Sequence, residues 1–235
     1  MVLEKCPLIP IRDINPRVRA PWGNYALILV CICVFIVQLS TAKSSADLLE
    51  TYGFVPGNLA GLLEYWTSRD AQGVAVGFFL SPFFHVGWLH IGGNLLYLRV
   101  FGDNVEDSLG HARYIAFFFL CCIAGNLAQF LFEPSSSRPI VGASGGIAGI
   151  LGYYITTFPR ARVLTLFPAL VVLMFIEVHA SAFIGVWCLQ QFLNGFLLIT
   201  SEVHQTDVAW FAHIGGFTLG VCTAILLRLV QSKKA

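Results

Sequence analysis

Six uncharged, mostly apolar windows divide the chain: 20–42 between Arg19 and Lys43, 71–98 between Asp70 and Arg99, 114–132 between Arg113 and Glu133, 139–159 between Arg138 and Arg160, 178–201 between Glu177 and Glu202, and 208–227 between Asp207 and Arg228. A helix that crosses a bilayer needs roughly 20 mostly apolar residues, so each window predicts one span. The resulting architecture is an all-α membrane protein: one six-helix membrane domain over residues 20–230, a short N-terminal segment 1–19 and a tail 231–235. A further apolar run, 163–176, contains Pro168 and is too short to cross, so it predicts a re-entrant or interfacial segment. The stretch 43–83 carries "YGFVPGNLAGLLEYW", too apolar and aromatic for a solvated loop. It predicts short helices in an outer loop partly embedded in the membrane.

Charge orients the bundle. With the N-terminus inside, Lys5, Arg12, Arg17, Arg19, Arg99, Arg113, Arg160, Arg162, Arg228, Lys233 and Lys234 fall on the cytoplasmic side, and only Lys43, Arg69 and Arg138 on the outer side. This positive-inside bias predicts that both termini are cytoplasmic. The first apolar run has no convincing small-residue cleavage site and reads as a retained span, not a signal peptide. Composition agrees with a membrane chain: 57% of residues are hydrophobic and 11% charged, where soluble domains have about 25% charged. No basic tract suggests nucleic acid. The seven cysteines form no C-x-x-C pair, which argues against a zinc or redox framework.

Polar residues at membrane depth are costly and point to function. Three places carry them. "HVGWLHIGGNLLYL" holds His85, His90 and Asn94; His90 and Asn94 share a helix face, and His85 marks the loop before it. "VGASGGIAGILGYY" holds Ser144 among glycines, and "AWFAHIGGFTLG" holds His213 three residues before Gly216. Taken singly, each has a plain structural reading: interhelical hydrogen bonds for His90 and Asn94, close packing for Ser144, a bonded core histidine for His213.

Depth joins them. Spans 2, 4 and 6 all enter from the outer side, and a helix descends ~1.5 Å per residue. Ser144 then lies ~8 Å below Pro139, His213 ~9 Å below Asp207, and Asn94 ~9 Å below Trp88. A serine becomes a useful nucleophile when an adjacent base takes its proton, and His213 can be that base. Acyl transfer also needs donors for the developing oxyanion; the Asn94 amide, the His90 ring and the Ser144 backbone N–H can supply them. No carboxylate lies near this depth in spans 2, 4 or 6, so the pattern predicts a Ser-His dyad, not a triad.

The three motifs, with "HVGWLHIGGNLLYLRVFGDNVED", "GASGG" and "AHIGGFTLG" in this order, resemble the rhomboid family of intramembrane serine proteases over roughly residues 50–225. The resemblance implies a minimal six-helix core, nucleophile Ser144, base His213 and an oxyanion site of His90, Asn94 and the Ser144 backbone. Gly142 stands where the motif requires a glycine. His85 matches the motif's first histidine, structural or near the oxyanion site, and Glu106 matches a structural cytoplasmic-end residue. Implied partners are single-span membrane substrates cleaved near the outer face, in what the resemblance makes a bacterial inner membrane; no cofactor, metal or nucleic acid is implied. Some rhomboids carry a tyrosine four residues after the serine, stacked on the histidine. Here that position is Ala148, which leaves the support of His213 open.

Rival readings make different demands. A soluble α/β-hydrolase would need the serine on a strand-to-helix turn, which the long apolar runs exclude. A proteolytically inactive rhomboid-like protein that binds or routes membrane clients would be signalled by loss of the serine or histidine, and both are present. A transporter would not depend on Ser144. A metal site from His85, His90 and His213 lacks an H-E-x-x-H pattern.

Overall fold

The computed structural model describes residues 8–41, 45–65, 68–169, 172–200 and 208–232. The chain opens with a strand, β1 (Ile9–Asp13), followed by a long helix α1 (Trp22–Ser40). Three short helices, α2 (Ser45–Tyr52), α3 (Pro56–Tyr65) and α4 (Ser68–Leu80), occupy the aromatic stretch after it, as its composition predicts. A 3₁₀ turn at Ser81–Phe83 leads to α5 (Trp88–Tyr97), a π-helical segment Leu98–Gly102 and α6 (Asp103–Leu109). Then come α7 (His111–Phe132), α8 (Ser144–Thr157), the strands β2 (Arg162–Ala169) and β3 (Val172–His179), α9 (Ala180–Thr200) and α10 (Trp210–Ser232).

Helices α1, α7, α9 and α10 are each long and apolar enough to cross a membrane, and the pair Ala71–Phe83 and Trp88–Leu109, bent by 77°, brings the number to at most five among the described residues. Two windows therefore differ from the six-span expectation. Window 71–98 is not one helix: it breaks at the Ser81–Gly87 turn, and the second span starts at Trp88 and runs on past Arg99 to Leu109. Window 139–159 forms a helix of only 14 residues, about 21 Å at 1.5 Å per residue.

The all-α expectation also needs correction. Within the run 163–176 the described residues are strands, β2 paired antiparallel with β3, and β1 adds to β2 to give a sheet of order β1-β2-β3. Pro168 lies in register with Leu173 in that pair. Its β-branched and aromatic residues suit a strand, and its partner lies some 150 residues earlier in sequence, invisible to local pattern. The segment before α1 is thus built into the fold through Ile9–Asp13.

A polar knot ties three helices together at the end of the bundle remote from Ser144. The Glu106 carboxylate accepts the N–H groups of Gly23 and Asn24 at 2.7 and 2.6 Å, supplying partners for the free donors that open α1. Glu106 also pairs with His111. The Asn24 side chain donates to the Leu98 carbonyl at 2.9 Å, at the start of the π segment, and accepts from the Tyr114 hydroxyl at 2.8 Å. Arg17 pairs with Asp103, and Asp107 accepts the N–H groups of Val18 and Arg19. The carboxylates inside this span are therefore matched to a guanidinium, an imidazole or backbone donors, which is how a helix carries them at low cost. Glu106 thus joins the start of α1 to α6 and to His111.

Helix α8 runs through the middle of the bundle with nearly every residue buried. Its far end carries Tyr154, whose ring sits edge-on to Phe101 and whose hydroxyl donates to Asp13 at 2.7 Å. The glycines that follow Ser144 set the distance to α10. A Cβ at Gly216 would run into the Gly145 carbonyl, one at Gly220 into the Gly149 carbonyl, and one at Gly152 into the Phe217 carbonyl. These backbones touch with no side chain between them, the small-residue packing expected of helices in lipid.

Two outcomes are expected. Gly220→Val forces α8 and α10 apart and costs about 1–3 kcal/mol or more, the scale of overpacking; an unchanged thermal midpoint in detergent would show that the helices have room. Burial holds the Asp13 carboxyl up at about 6, against the opposing hydrogen bond from Tyr154. A carboxyl whose folded value is raised binds its proton more tightly when folded, so its stabilising contribution is full below about 4 and lost as pH rises through about 6. Asp13→Asn should therefore flatten the stability gain between pH 7 and pH 4, read by thermal unfolding across that range; identical pH slopes in both proteins would contradict it.

Candidate active site

Ser144 is the first residue of α8, not a turn and a half inside it. The five residues before it are not helical. Ile140 exchanges backbone hydrogen bonds with Phe54, at 2.9 and 2.8 Å, and the Gly142 N–H donates to the Ser81 carbonyl at 2.9 Å. Gly142 has φ +108°, a conformation that side chains resist. A Cβ there would stand 2.6 Å from His90 Nε2 and 3.4 Å from Asn94 Nδ2. Glycine is required at this position by its own backbone and by the two side chains it faces. The N–H groups that open α8 have no partner within the helix and carry its positive end, next to the serine.

The packing of α10 on α8 brings His213 to this point. Its Nε2 lies 2.9 Å from Ser144 Oγ. Its Nδ1 lies 2.7 Å from Gln191 Oε1, on α9. The Trp187 and Trp210 rings flank the imidazole at centroid distances of 6.0 and 6.3 Å, and His213 is 3% exposed. One residue earlier, the Ala212 N–H donates to Gln129 Oε1 at 3.1 Å, supplying a partner for a donor in the first turn of α10.

His90 and Asn94 stand on α5 opposite the serine. Asn94 is buried, and its Nδ2 has no hydrogen-bond partner among the described residues; His90 Nδ1 and His85 Nε2 are also buried without one among them. Buried polar atoms left unpaired are costly and rare, and three of them gather beside a serine at a helix N-terminus. His85 supports this wall. Its ring is 5.1 Å from that of His90, its Nδ1 bonds the Phe83 carbonyl at 3.1 Å, and its backbone is gripped on both sides by the Gln38 amide, 2.7 Å from its carbonyl and 3.3 Å from its N–H. Serine, base and convergent donors together make an arrangement able to transfer acyl groups.

Residues 72–230 match the family model of the Rhomboid domain, well over half of the chain. The chain belongs to the rhomboid family. Among the relatives of this rhomboid is Rhomboid protease GluP of Bacillus subtilis (strain 168), 28% identical over 134 residues, 56% of this chain and 24% of that protein. Another is Rhomboid protein 1, mitochondrial, of Saccharomyces cerevisiae, 35% identical over 89 residues, 36% of this chain and 25% of that protein. RHOMBOID-like protein 6, mitochondrial, of Arabidopsis thaliana aligns more fully, 22% identical over 88% of this chain and 69% of its own length. The chain spans about a quarter of the length of the first two. With its apolar helices, the rhomboid domain makes this a multi-pass integral membrane protein.

All the site residues expected from sequence lie around one point: Ser144 with His213, and His90, Asn94 and Gly142 beside them, with His85 behind. Two supports for the depth estimate do not hold in this rhomboid. Residues 139–143 do not form a helix, so helical rise does not measure the depth of Ser144, and Asp207 lies outside the described residues. Gln191, Trp187, Trp210 and Gln129 were not singled out from sequence. Gln191 carried a usable signal, a side-chain amide in the middle of an uncharged 178–201 window. Among the described residues no three His, Cys, Asp or Glu side chains are grouped to hold a metal ion.

Gly142→Ala should lower the thermal midpoint, because alanine resists this backbone conformation, and, in the fraction that remains folded, cut the rate at which a fluorophosphonate labels Ser144 by about 10²-fold, the scale of one lost oxyanion donor. Labelling at the wild-type rate would show that His90 and Asn94 do not depend on the bare backbone at 142.

Proposed function

We propose that this rhomboid is an intramembrane serine endopeptidase that cleaves single-span membrane proteins by a Ser144–His213 dyad. The observation that carries the reading is the 2.9 Å contact between His213 Nε2 and Ser144 Oγ, with the other ring nitrogen of His213 already engaged. Relatives named as proteases support it.

In the proposed reaction Ser144 Oγ attacks the carbonyl carbon of the scissile peptide while His213 Nε2 takes the hydroxyl proton. The carbonyl oxygen becomes an oxyanion and accepts hydrogen bonds from Asn94 Nδ2, His90 Nε2 and the Ser144 N–H. The C–N bond then breaks, and His213 passes its proton to the leaving amine. The acyl group remains on Ser144 until water, deprotonated by His213, displaces it and restores the hydroxyl. Gly142 leaves room for the substrate backbone beside the donors. In the proposed topology, which the cation bias along the sequence supports, both termini face the cytoplasm and the site lies toward the outer face, where water is at hand. Peptide hydrolysis by this route needs no cofactor.

The test uses the purified protein in bilayers with a model single-span substrate bearing small residues at the cleavage point. Ser144→Ala and His213→Ala should each lower turnover by about 10³-fold or more, since members of a catalytic unit fail together. Cleavage undiminished in both variants would sink the dyad. Intact binding of the substrate by a wild-type protein that never cleaves it would favour a client-binding rhomboid-like protein.

A further inference from the structure

We infer that Gln191 is a positioning residue that sets the tautomer and ring orientation of His213. The inference rests on the proposed dyad and answers the question left by Ala148.

The orientation of the Gln191 amide is fixed from its own helix. Its Nε2 donates to the Trp187 carbonyl, one turn earlier, at 3.2 Å. Turning the amide over would set its oxygen against that carbonyl, two acceptors facing each other. With the nitrogen held there, Oε1 is the atom that meets His213 Nδ1 at 2.7 Å. An amide oxygen only accepts, so Nδ1 carries the proton. A neutral imidazole has one N–H, and Nε2 is therefore the bare nitrogen. That is the nitrogen 2.9 Å from the Ser144 hydroxyl, and bare is the state in which it can accept the serine proton. The opposite tautomer would point an N–H at the serine and leave it without a base.

The rings of Trp187 and Trp210 pack near the imidazole, tilted and edge-on, and position 148, one turn into α8, offers only a buried methyl group. The hold on His213 comes from α9 and its amide, not from a side chain on the nucleophile's own helix. Gln191 is itself 4% exposed, so water does not compete for Oε1.

The experiment compares wild type with Gln191→Met, which keeps length but loses the strong acceptor, and Gln191→Glu, which restores an acceptor oxygen at the same reach. Steady-state cleavage of a model single-span substrate should show kcat lowered about 10²-fold in Gln191→Met with KM unchanged, the scale of a lost general-base contribution. Gln191→Glu should recover at least tenfold of it. Nitrogen-15 NMR of the imidazoles, with the His213 signals assigned by their loss in His213→Ala, should show a protonated Nδ1 and bare Nε2 in wild type and a mixture of tautomers in Gln191→Met. Wild-type kcat in Gln191→Met, or an unaltered tautomer, would overturn the assignment. If Gln191→Met does not fold, Gln191→Asn, which keeps the amide but draws it back, is read for the same two outcomes. Cleavage that survives in Ser144→Ala would instead count against the dyad, while the NMR comparison continues to decide the role of Gln191.

Discussion

The contact between the backbones of α8 and α10 governs the site. Glycines 145, 149 and 152 on one helix meet Gly216, Gly220 and the Phe217 carbonyl on the other, with no room for a single added carbon at several points. Lipid tails are as apolar as the helices, so burial of apolar area gives little drive for association, and close van der Waals fit takes its place. The same fit has a geometric consequence. Ser144 and His213 each stand at the first turn of their helix, next to this seam, and short side chains placed there fall within hydrogen-bond range. Helices separated by leucines would leave them several ångströms apart. In this chain the packing rule for membrane helices and the geometry of a nucleophile–base pair are met by the same residues.

Helix α8 is held at both ends. Beside the serine, the Gly142 N–H is bonded to Ser81 and the loop before it to Phe54, so the start of the helix is fixed by the segments that precede α5. At the other end Tyr154 reaches Asp13, and Asp13 belongs to the sheet that the N-terminal strand completes. The knot around Glu106 and Asn24 fixes α1 and α7 against the span that carries His90 and Asn94. Asn24 donates to the Leu98 carbonyl where the π segment begins, so a local irregularity meets a particular side chain. The donors on α5 are therefore positioned by contacts that start at the opposite end of the bundle.

How far the sequence foretold this depends on what kind of residue carried the information. Ser144, His90, Asn94 and His213 are polar groups in apolar surroundings, each expensive where it stands, and they were legible for that reason. Gln191 is polar too, but it is one of three side-chain amides in α9, with Gln190 and Asn194, any of which also reads as a bond between helices, and only the position of its oxygen against Nδ1 separates the two roles. Hydropathy could not see the bend at Ser81–Gly87, because an uncharged window records composition and not direction. Nor could it tell a strand from a buried helix in 163–176: short apolar runs are ambiguous in period, and the partner Ile9–Asp13 is distant in sequence. Asp103 and Glu106 lie beyond the uncharged window that ends at Arg99, yet both belong to the helical segment Trp88–Leu109, where Arg17, His111 and the N–H groups of α1 pair with them.

A neutral amide behind the histidine suits the medium. An aspartate there would fix the same tautomer, but a carboxylate buried among apolar helices carries a desolvation cost of several kcal/mol. That cost would have to be offset by further donors turned toward the carboxylate, whereas the amide needs none. Gln191 supplies the accepting oxygen with no charge to desolvate, and its other end is satisfied by Trp187 within the same turn. Across the site, Asn94 follows the opposite logic. Its Nδ2 is buried and unpaired among the described residues, a cost a static helix bundle has no reason to carry. An incoming carbonyl oxygen, negative in the transition state of the proposed reaction, would pair it. The supporting polar group is satisfied at rest and the reacting wall is not, and that difference is what would favour the charged intermediate over the substrate.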